Sequence, residues 1–147
     1  MAAVRRAEVV WEGSLARGSG KVSASSSQAF SDLPVSWASR TERANGQTSP
    51  EELVAAAHAS CFAMALSFGL GNDGHPPERL HVSATVTFDQ VDGGWKVVSS
   101  ALTVRGTVPG LDDAGFKQAA EGAKEGCPIS QALKGNVALS VDASLES

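Results

Sequence analysis

Ser49-Pro50-Glu51-Glu52-Leu53-Val54-Ala55-Ala56-Ala57-His58-Ala59-Ser60-Cys61-Phe62-Ala63-Met64-Ala65-Leu66-Ser67-Phe68-Gly69 is the stretch on which the reading of the fold turns. It opens with a hydroxyl at the N-cap position, proline at the first helical position and glutamate at the third, a capping box with the favoured proline. A helix therefore starts here and runs to Gly69 or Gly71, roughly twenty residues and about 30 Å at ~1.5 Å per residue. Small side chains on nearly every face predict a buried helix that other backbones approach closely, rather than an amphipathic surface helix.

On both sides of this helix the hydrophobic period is two. Val9 with Trp11, Val22 with Ala24, and Phe30, Leu33 and Val35 to Trp37 predict two or three antiparallel strands. The Gly- and Ser-rich segment from Gly18 to Ser27 is read as a sheet edge or hairpin because strand patterns flank it. After Pro76-Pro77, Leu80, Val82, Ala84, Val86 and Phe88 alternate up to Asp92-Gly93-Gly94, and Trp95 to Val108 return, as a long hairpin does. Leu111-Asp112 caps a second helix that Gly126 ends, Pro128 begins a short third helix ending at Gly135, and Asn136 to Leu145 form a last strand. With no βαβ alternation and no repeat, the order predicts an α+β fold in one domain covering 1–147.

Composition narrows the function. A chain of 147 residues with 42% hydrophobic and 19% charged residues has enough apolar material for one core. Its net charge of -4, with basic residues scattered among acids, provides no stripe to neutralise phosphates or anionic lipid, so nucleic acid and membrane surfaces are not expected partners. Charge at Arg5-Arg6 interrupts any signal-peptide pattern, and the longest apolar stretch carries His58 and Ser60; a cytoplasmic location is expected. Two cysteines are too few for a secreted disulfide framework, and in a reducing compartment they invite a redox reading.

Cys61 lies twelve residues past the N-cap, too far into the helix to feel its dipole, so a reactive thiolate there needs an external cation. The alternative is a small buried hydrophobe among alanines. Cys127, in Glu125-Gly126-Cys127-Pro128, stands at an N-cap where backbone N–H groups stabilise a thiolate, or is an incidental loop cysteine. His58 shares a helix face with Cys61, as a satisfied core histidine or as one of two metal ligands. The paired short spacings of a zinc site are missing, His75 and His81 lying in a turn and a strand, and no metal is expected. Gly-x-Ser-x-Gly, P-loop and Gly-x-Gly-x-x-Gly runs are absent as well, which removes the usual support for serine hydrolase and nucleotide-binding readings.

Trp37-Ala38-Ser39-Arg40, Ser49 to Leu53, Ala56 to Leu66, and Ala123-Lys124-Glu125-Gly126-Cys127-Pro128-Ile129-Ser130 resemble the OsmC/Ohr family over nearly the whole chain. Ser-Arg after an aromatic, and the strand Ala101 to Gly110, resemble the OsmC (osmotically inducible protein C) branch more than the organic hydroperoxide resistance branch. The resemblance implies antiparallel sheets wrapped around long central helices in an intertwined homodimer, with sites at the subunit interface. It implies an organic hydroperoxide reductase in which Cys61 is the peroxidatic residue, Cys127 resolves it, Arg40 stabilises the thiolate and Glu51 orients Arg40. It further implies no bound cofactor and an external dithiol reductant, for which lipoyl-bearing proteins serve in the family.

That implied role makes Arg40 the cation that the position of Cys61 requires. Glu51 precedes Cys61 by ten residues on one helix, about 15 Å along the axis, so both serve one site only if Glu51 comes from the dimer mate or the helix is broken. Phe62, Met64, Phe68 and Phe116 are candidates for an apolar wall favouring organic hydroperoxides. The rival readings are a non-enzymatic thiol redox sensor or ligand-binding protein of the same fold, and a metal-binding module centred on His58 and Cys61.

Overall fold

The alternation near the start of the chain becomes three strands, β1 (Ala7–Glu12), β2 (Ser19–Ala24) and β3 (Leu33–Val35), in an antiparallel sheet of order β1-β2-β3. The Gly- and Ser-rich strand β2 is the central one, so of the two readings the hairpin, with β1, holds and the edge does not. Gly20 is there because a Cβ would stand 2.8 Å from the Trp11 ring. Where the sequence reads as strand up to Trp37, the chain instead turns into a short helix α1 (Trp37–Thr41), started by a reciprocal pair of hydrogen bonds between Ser36 and Ser39. A computed structural model describes residues 1–146, and these fall into two compact units, Met1–Leu53 and the remainder from Val54.

The long helix α2 (Pro50–Asn72) begins where Ser49-Pro50 requires: Ser49 Oγ accepts from the Glu52 N–H at 3.1 Å. The other half of the capping box is diverted, since Glu52 accepts from the Thr48 hydroxyl. α2 is 23 residues long and, by length and composition alone, apolar enough to cross a membrane. His58, Phe62, Leu66 and Leu70 form one buried stripe at a spacing of four. The opposite face is open, with Met64 and Phe68 each 72% exposed. The expected buried helix is thus buried by its own chain along one stripe only.

In the second unit β4 (Arg79–Val91) and β5 (Gly94–Thr107) form the expected hairpin, closed by Asp92 (φ 52°) and Gly93 (φ 81°), the paired positive φ values of a type I′ turn. Phe88 and Trp95 stack beside that turn, ring centroids 4.9 Å apart. Helix α3 (Asp113–Gly126) is capped by Asp112, whose Oδ1 accepts from the Gly115 N–H, and α4 (Pro128–Leu133) follows at once. The last strand β6 (Ala138–Leu145) then pairs parallel to β5. This corrects the purely antiparallel reading: α3 and α4 form a crossover, so the second sheet, β4-β5-β6, is mixed. The core joins Phe62, Leu66 and Leu70 of α2, Leu102 and Val104 of β5, and Phe116 and Ala120 of α3. Phe116 lies on the backbone of Gly106, where a Cβ would meet its Cζ at 2.6 Å.

Candidate active site

The first unit builds a charged pair. Ser36 and Ser39 fix α1, because Ser36 Oγ donates to Gln47 Oε1 and Ser39 Oγ to the Thr48 carbonyl, both at 2.9 Å. The chain returning through Gln47 and Thr48 then enters α2, and its first turn brings Glu51 against Arg40. Arg40 Nε donates to Glu51 Oε1 at 2.9 Å and Oε2 at 3.2 Å, and its Nη2 lies 2.9 Å from Oε1. The carboxylate is buried, at 8% side-chain exposure, whereas the guanidinium keeps 31% and lies 5.8 Å from the Trp37 ring centroid. Arg40 also lines a cavity of about 530 Å³ whose other walls include Trp11, Val22, Val35, Trp37 and Leu53. The sequence-stretch resemblance that assigned Glu51 to Arg40 therefore corresponds to a direct contact inside one chain.

The second unit brings the two thiols together. Cys61 sits half-buried on α2, and Cys127, fully buried, occupies the junction at which α3 ends and α4 begins. Pro128 at the first helical position leaves Cys127 as N-cap, as the sequence predicts. Cys127 makes no capping hydrogen bond through its side chain, yet the N–H groups of Ser130 and Ile129 and the Ser130 hydroxyl are near enough to stabilise its charge. Burial pushes the Cys127 thiol up, but hydrogen bonding from Cys61 and from these α4 groups outweighs it, and the net direction is down. Cys61 moves the other way: burial and its bond to Cys127 raise it, against a smaller opposing contribution from the Ile129 N–H. Within its own unit, Cys127 is the member of the pair whose thiolate is favoured.

His58 resolves as a satisfied core histidine. Its Nδ1 is 2.6 Å from Ser100 Oγ and its Nε2 2.8 Å from Ser130 Oγ, and burial lowers its pKa. With both nitrogens engaged by hydroxyls, His58 has none left to share a metal with Cys61. The expected apolar wall is also redistributed. Phe62 and Phe116 are core residues with no exposure, and Met64 and Phe68 lie on the open face of α2. Ser100 and Ser130 were not singled out by the sequence, because nothing local marks two serines that meet a histidine 42 and 72 positions away.

The four candidate residues thus form two pairs, Arg40 with Glu51 and Cys61 with Cys127. Residues 43–142 match the family model for OsmC-like protein. The chain belongs to the OsmC-like family. A peroxiredoxin OsmC of Escherichia coli is 41% identical over 135 residues, 92% of this chain and 93% of that protein, in keeping with the OsmC branch. An organic hydroperoxide resistance protein of Xanthomonas axonopodis pv. citri is 33% identical over 91 residues, 61% of this chain and 62% of its own. Among solved structures, the organic hydroperoxide resistance protein OhrB of Bacillus subtilis superposes with a TM-score of 0.75 at 25% identity, covering 95% of this chain and 98% of that one. The OsmC-like assignment accounts for the α+β architecture of two small sheets and one long helix.

Proposed function

We propose that this OsmC-like chain is a thiol-dependent peroxidase that reduces organic hydroperoxides to alcohols, with Cys61 attacking and Cys127 resolving. The observation that carries the proposal is the direct interaction of the two thiols, delivered to each other by α2 and the α3–α4 junction. The names of the relatives, peroxiredoxin and organic hydroperoxide resistance protein, support it. The Cys61 thiolate attacks one peroxide oxygen, the O–O bond breaks, and the departing alkoxide takes a proton to become the alcohol. The Cys127 thiolate then attacks the sulfur of the Cys61 sulfenic acid, forming S–S and releasing the hydroxyl, with a proton, as water. An external dithiol, a lipoyl-bearing protein being the candidate, reduces that disulfide and is itself oxidised. Both cysteines are free thiols, in keeping with the reducing cytoplasm as the proposed compartment.

Arg40 is the proposed source of the cation that Cys61 lacks in its own unit. A guanidinium about 4 Å from the sulfur contributes roughly 4 kcal/mol to its anion at an effective dielectric near 20. Glu51 holds Arg40, and ten residues of continuous helix separate Glu51 from Cys61, an axial rise of about 15 Å. The proposed site therefore takes Cys61 and Cys127 from one subunit of a homodimer and the Arg40–Glu51 pair from its mate. The open face of α2 with Met64 and Phe68 provides apolar surface for such a dimer, and the cavity beside Arg40 suits the organic group of the substrate.

The test is consumption of cumene hydroperoxide with dihydrolipoamide as reductant. Cys61→Ser is expected to abolish it, and Cys127→Ser to stop after one turnover with a sulfenic acid or mixed disulfide on Cys61. Full activity in Cys61→Ser ends the proposal. Mixing Cys61→Ser with Arg40→Met subunits, each inactive alone, restores about a quarter of the wild-type rate if one site draws on two subunits, because half of the dimers are mixed and each rebuilds one site. No recovery after verified subunit exchange places the site within one chain.

A further inference from the structure

Ser100 on β5, His58 on α2 and Ser130 on α4 form a line of three fully buried polar side chains, joined at 2.6 and 2.8 Å. Three buried polar groups are tolerated because they hydrogen-bond one another, and a line of this kind is specific enough to act on what lies at its end. Ser130 is three residues past the N-cap Cys127, and its hydroxyl and its N–H both act on the Cys127 sulfur.

Proton counting fixes what the line can do. A neutral imidazole has one N–H. With the proton on Nε2, His58 donates to Ser130 Oγ, Ser130 is left to donate its own proton to the Cys127 sulfur, and Ser100 donates to Nδ1. With the proton on Nδ1, His58 donates to Ser100, Ser130 must donate to Nε2, and only a lone pair of Ser130 faces the sulfur. The first arrangement suits a thiolate and the second a thiol. Burial disfavours the charged ring in both.

We propose that His58 is a positioning residue that, through Ser130, presents a hydroxyl donor to the Cys127 sulfur and so favours the charge on the resolving cysteine. This deepens the peroxidase reading and rests on it for the name "resolving", although the effect on Cys127 does not. In the resolving step, Cys127 sulfur attacks Cys61 sulfur, the S–O bond breaks and the hydroxyl leaves as water after taking up a proton. The sulfur then no longer carries charge, and the members of the line keep their own protons, so no net charge enters the core. When an external dithiol later attacks Cys61 sulfur, the S–S bond breaks and the leaving Cys127 thiolate meets the same donor. Among the described residues, the titratable group acting on Cys127 is Cys61 from α2. On α3, Glu121 and Glu125 are drawn to Lys124, and the groups on His58 are the two serine hydroxyls.

The experiment titrates the Cys127 thiolate by its ultraviolet absorbance in Cys61→Ser protein, with and without His58→Gln or Ser130→Ala. Both are expected to shift the midpoint to higher pH, and Ser130→Thr, which keeps the hydroxyl, to bring it back. In protein with both cysteines, stopped-flow disulfide formation after a stoichiometric peroxide pulse slows roughly tenfold at neutral pH, the loss of one hydrogen bond to a charged group, and the deficit narrows as pH rises. Ser130→Ala removes a single oxygen and folds even if His58→Gln does not; unfolding by circular dichroism checks both. An unchanged midpoint in folded Ser130→Ala overturns the inference. Failure of peroxide to oxidise the parent Cys61 overturns the peroxidase reading instead and leaves the titration result standing.

Discussion

Removing either partner of the Arg40–Glu51 pair breaks the same contact, but the two losses are unequal. Arg40→Met leaves the Glu51 carboxylate at 8% exposure, deprived of contacts at 2.9, 3.2 and 2.9 Å. A charged group stripped of such bonds costs about 2–3 kcal/mol, short of the largest values for buried pairs because the helix N-terminus still faces it. The methionine stem fills the space against the apolar cavity, so packing adds little. Glu51→Gln keeps an acceptor for Nε, and the guanidinium, at 31% exposure, turns to water; that loss is about 1 kcal/mol. The double variant leaves no unpaired buried charge and is expected to lie closer to Glu51→Gln than to the sum of the singles. Urea unfolding of the reduced protein measures all three, and by temperature the steps are about 2–4 °C per kcal/mol for a chain of this size. Activity follows a parallel order, with hydroperoxide reduction falling further in Arg40→Met, which removes the cation, than in Glu51→Gln, which only loosens it. If Glu51→Gln proves as destabilising as Arg40→Met, the carboxylate is not the buried, dependent partner and the argument fails.

Burial holds His58 below its ordinary value of 6.5, so the unfolded chain binds a proton that the folded one refuses. Its contribution is complete above that value and is lost as pH falls through it toward the lower folded value. The urea midpoint of the parent is therefore expected to drop between about pH 7.5 and pH 5 more steeply than that of His58→Gln; parallel curves would remove His58 as the cause. Gly106→Ala forces a methyl to within 2.6 Å of Phe116 Cζ in the core, and an overpacking cost of about 1–3 kcal/mol is expected by thermal unfolding. A melting temperature equal to the parent's would show that Phe116 moves freely, contrary to its complete burial.

What the sequence made legible was local in its physics. Ser49-Pro50 starts α2 because the cap chemistry lies within four residues, and Asp92-Gly93 closes the β4–β5 hairpin because both residues tolerate positive φ. Helix α1 escaped because its reciprocal cap uses Ser39 in place of a glutamate, and because Gln47 and Thr48 hold it from beyond its own end. The parallel pairing of β6 escaped because strand alternation is the same in either direction; only the return path through α3 and α4 sets it. The stripe His58, Phe62, Leu66, Leu70 was hidden by alanines and by Met64 and Phe68, which spread apolar character around the whole of α2. At the candidate site, the need of Cys61 for a cation and the cap position of Cys127 followed from spacing. The Arg40–Glu51 contact was suggested by family resemblance alone, and the Ser100–His58–Ser130 line by nothing in the chain's local pattern.

The opposite tendencies of the two thiols come in part from the bond they share, which raises Cys61 and lowers Cys127, and in part from unequal surroundings. Cys127 draws on groups that folding of its own unit delivers, Cys61 first and then the α4 N–H groups and the Ser130 hydroxyl, and these favour its thiolate. Cys61 is raised by burial and by its bond to Cys127, and the Ile129 N–H of α4 opposes this without reversing it. Under the proposed mechanism its attack requires Arg40, and Arg40 arrives already oriented by the buried Glu51. Under that mechanism a Cys61 whose thiolate is disfavoured until the cation is presented reacts less with stray oxidants in an unassembled chain, and the same Arg40 lines the cavity proposed for the organic group. The resolving thiol carries no comparable hazard, because its sulfur is fully buried and meets an electrophile only when Cys61 has become one. Under the proposed mechanism the unequal burial and unequal electrostatics of Cys61 and Cys127 are two halves of one control: the half-buried attacking thiol is disfavoured as a thiolate by its own unit, and the thiol favoured as a thiolate is fully buried.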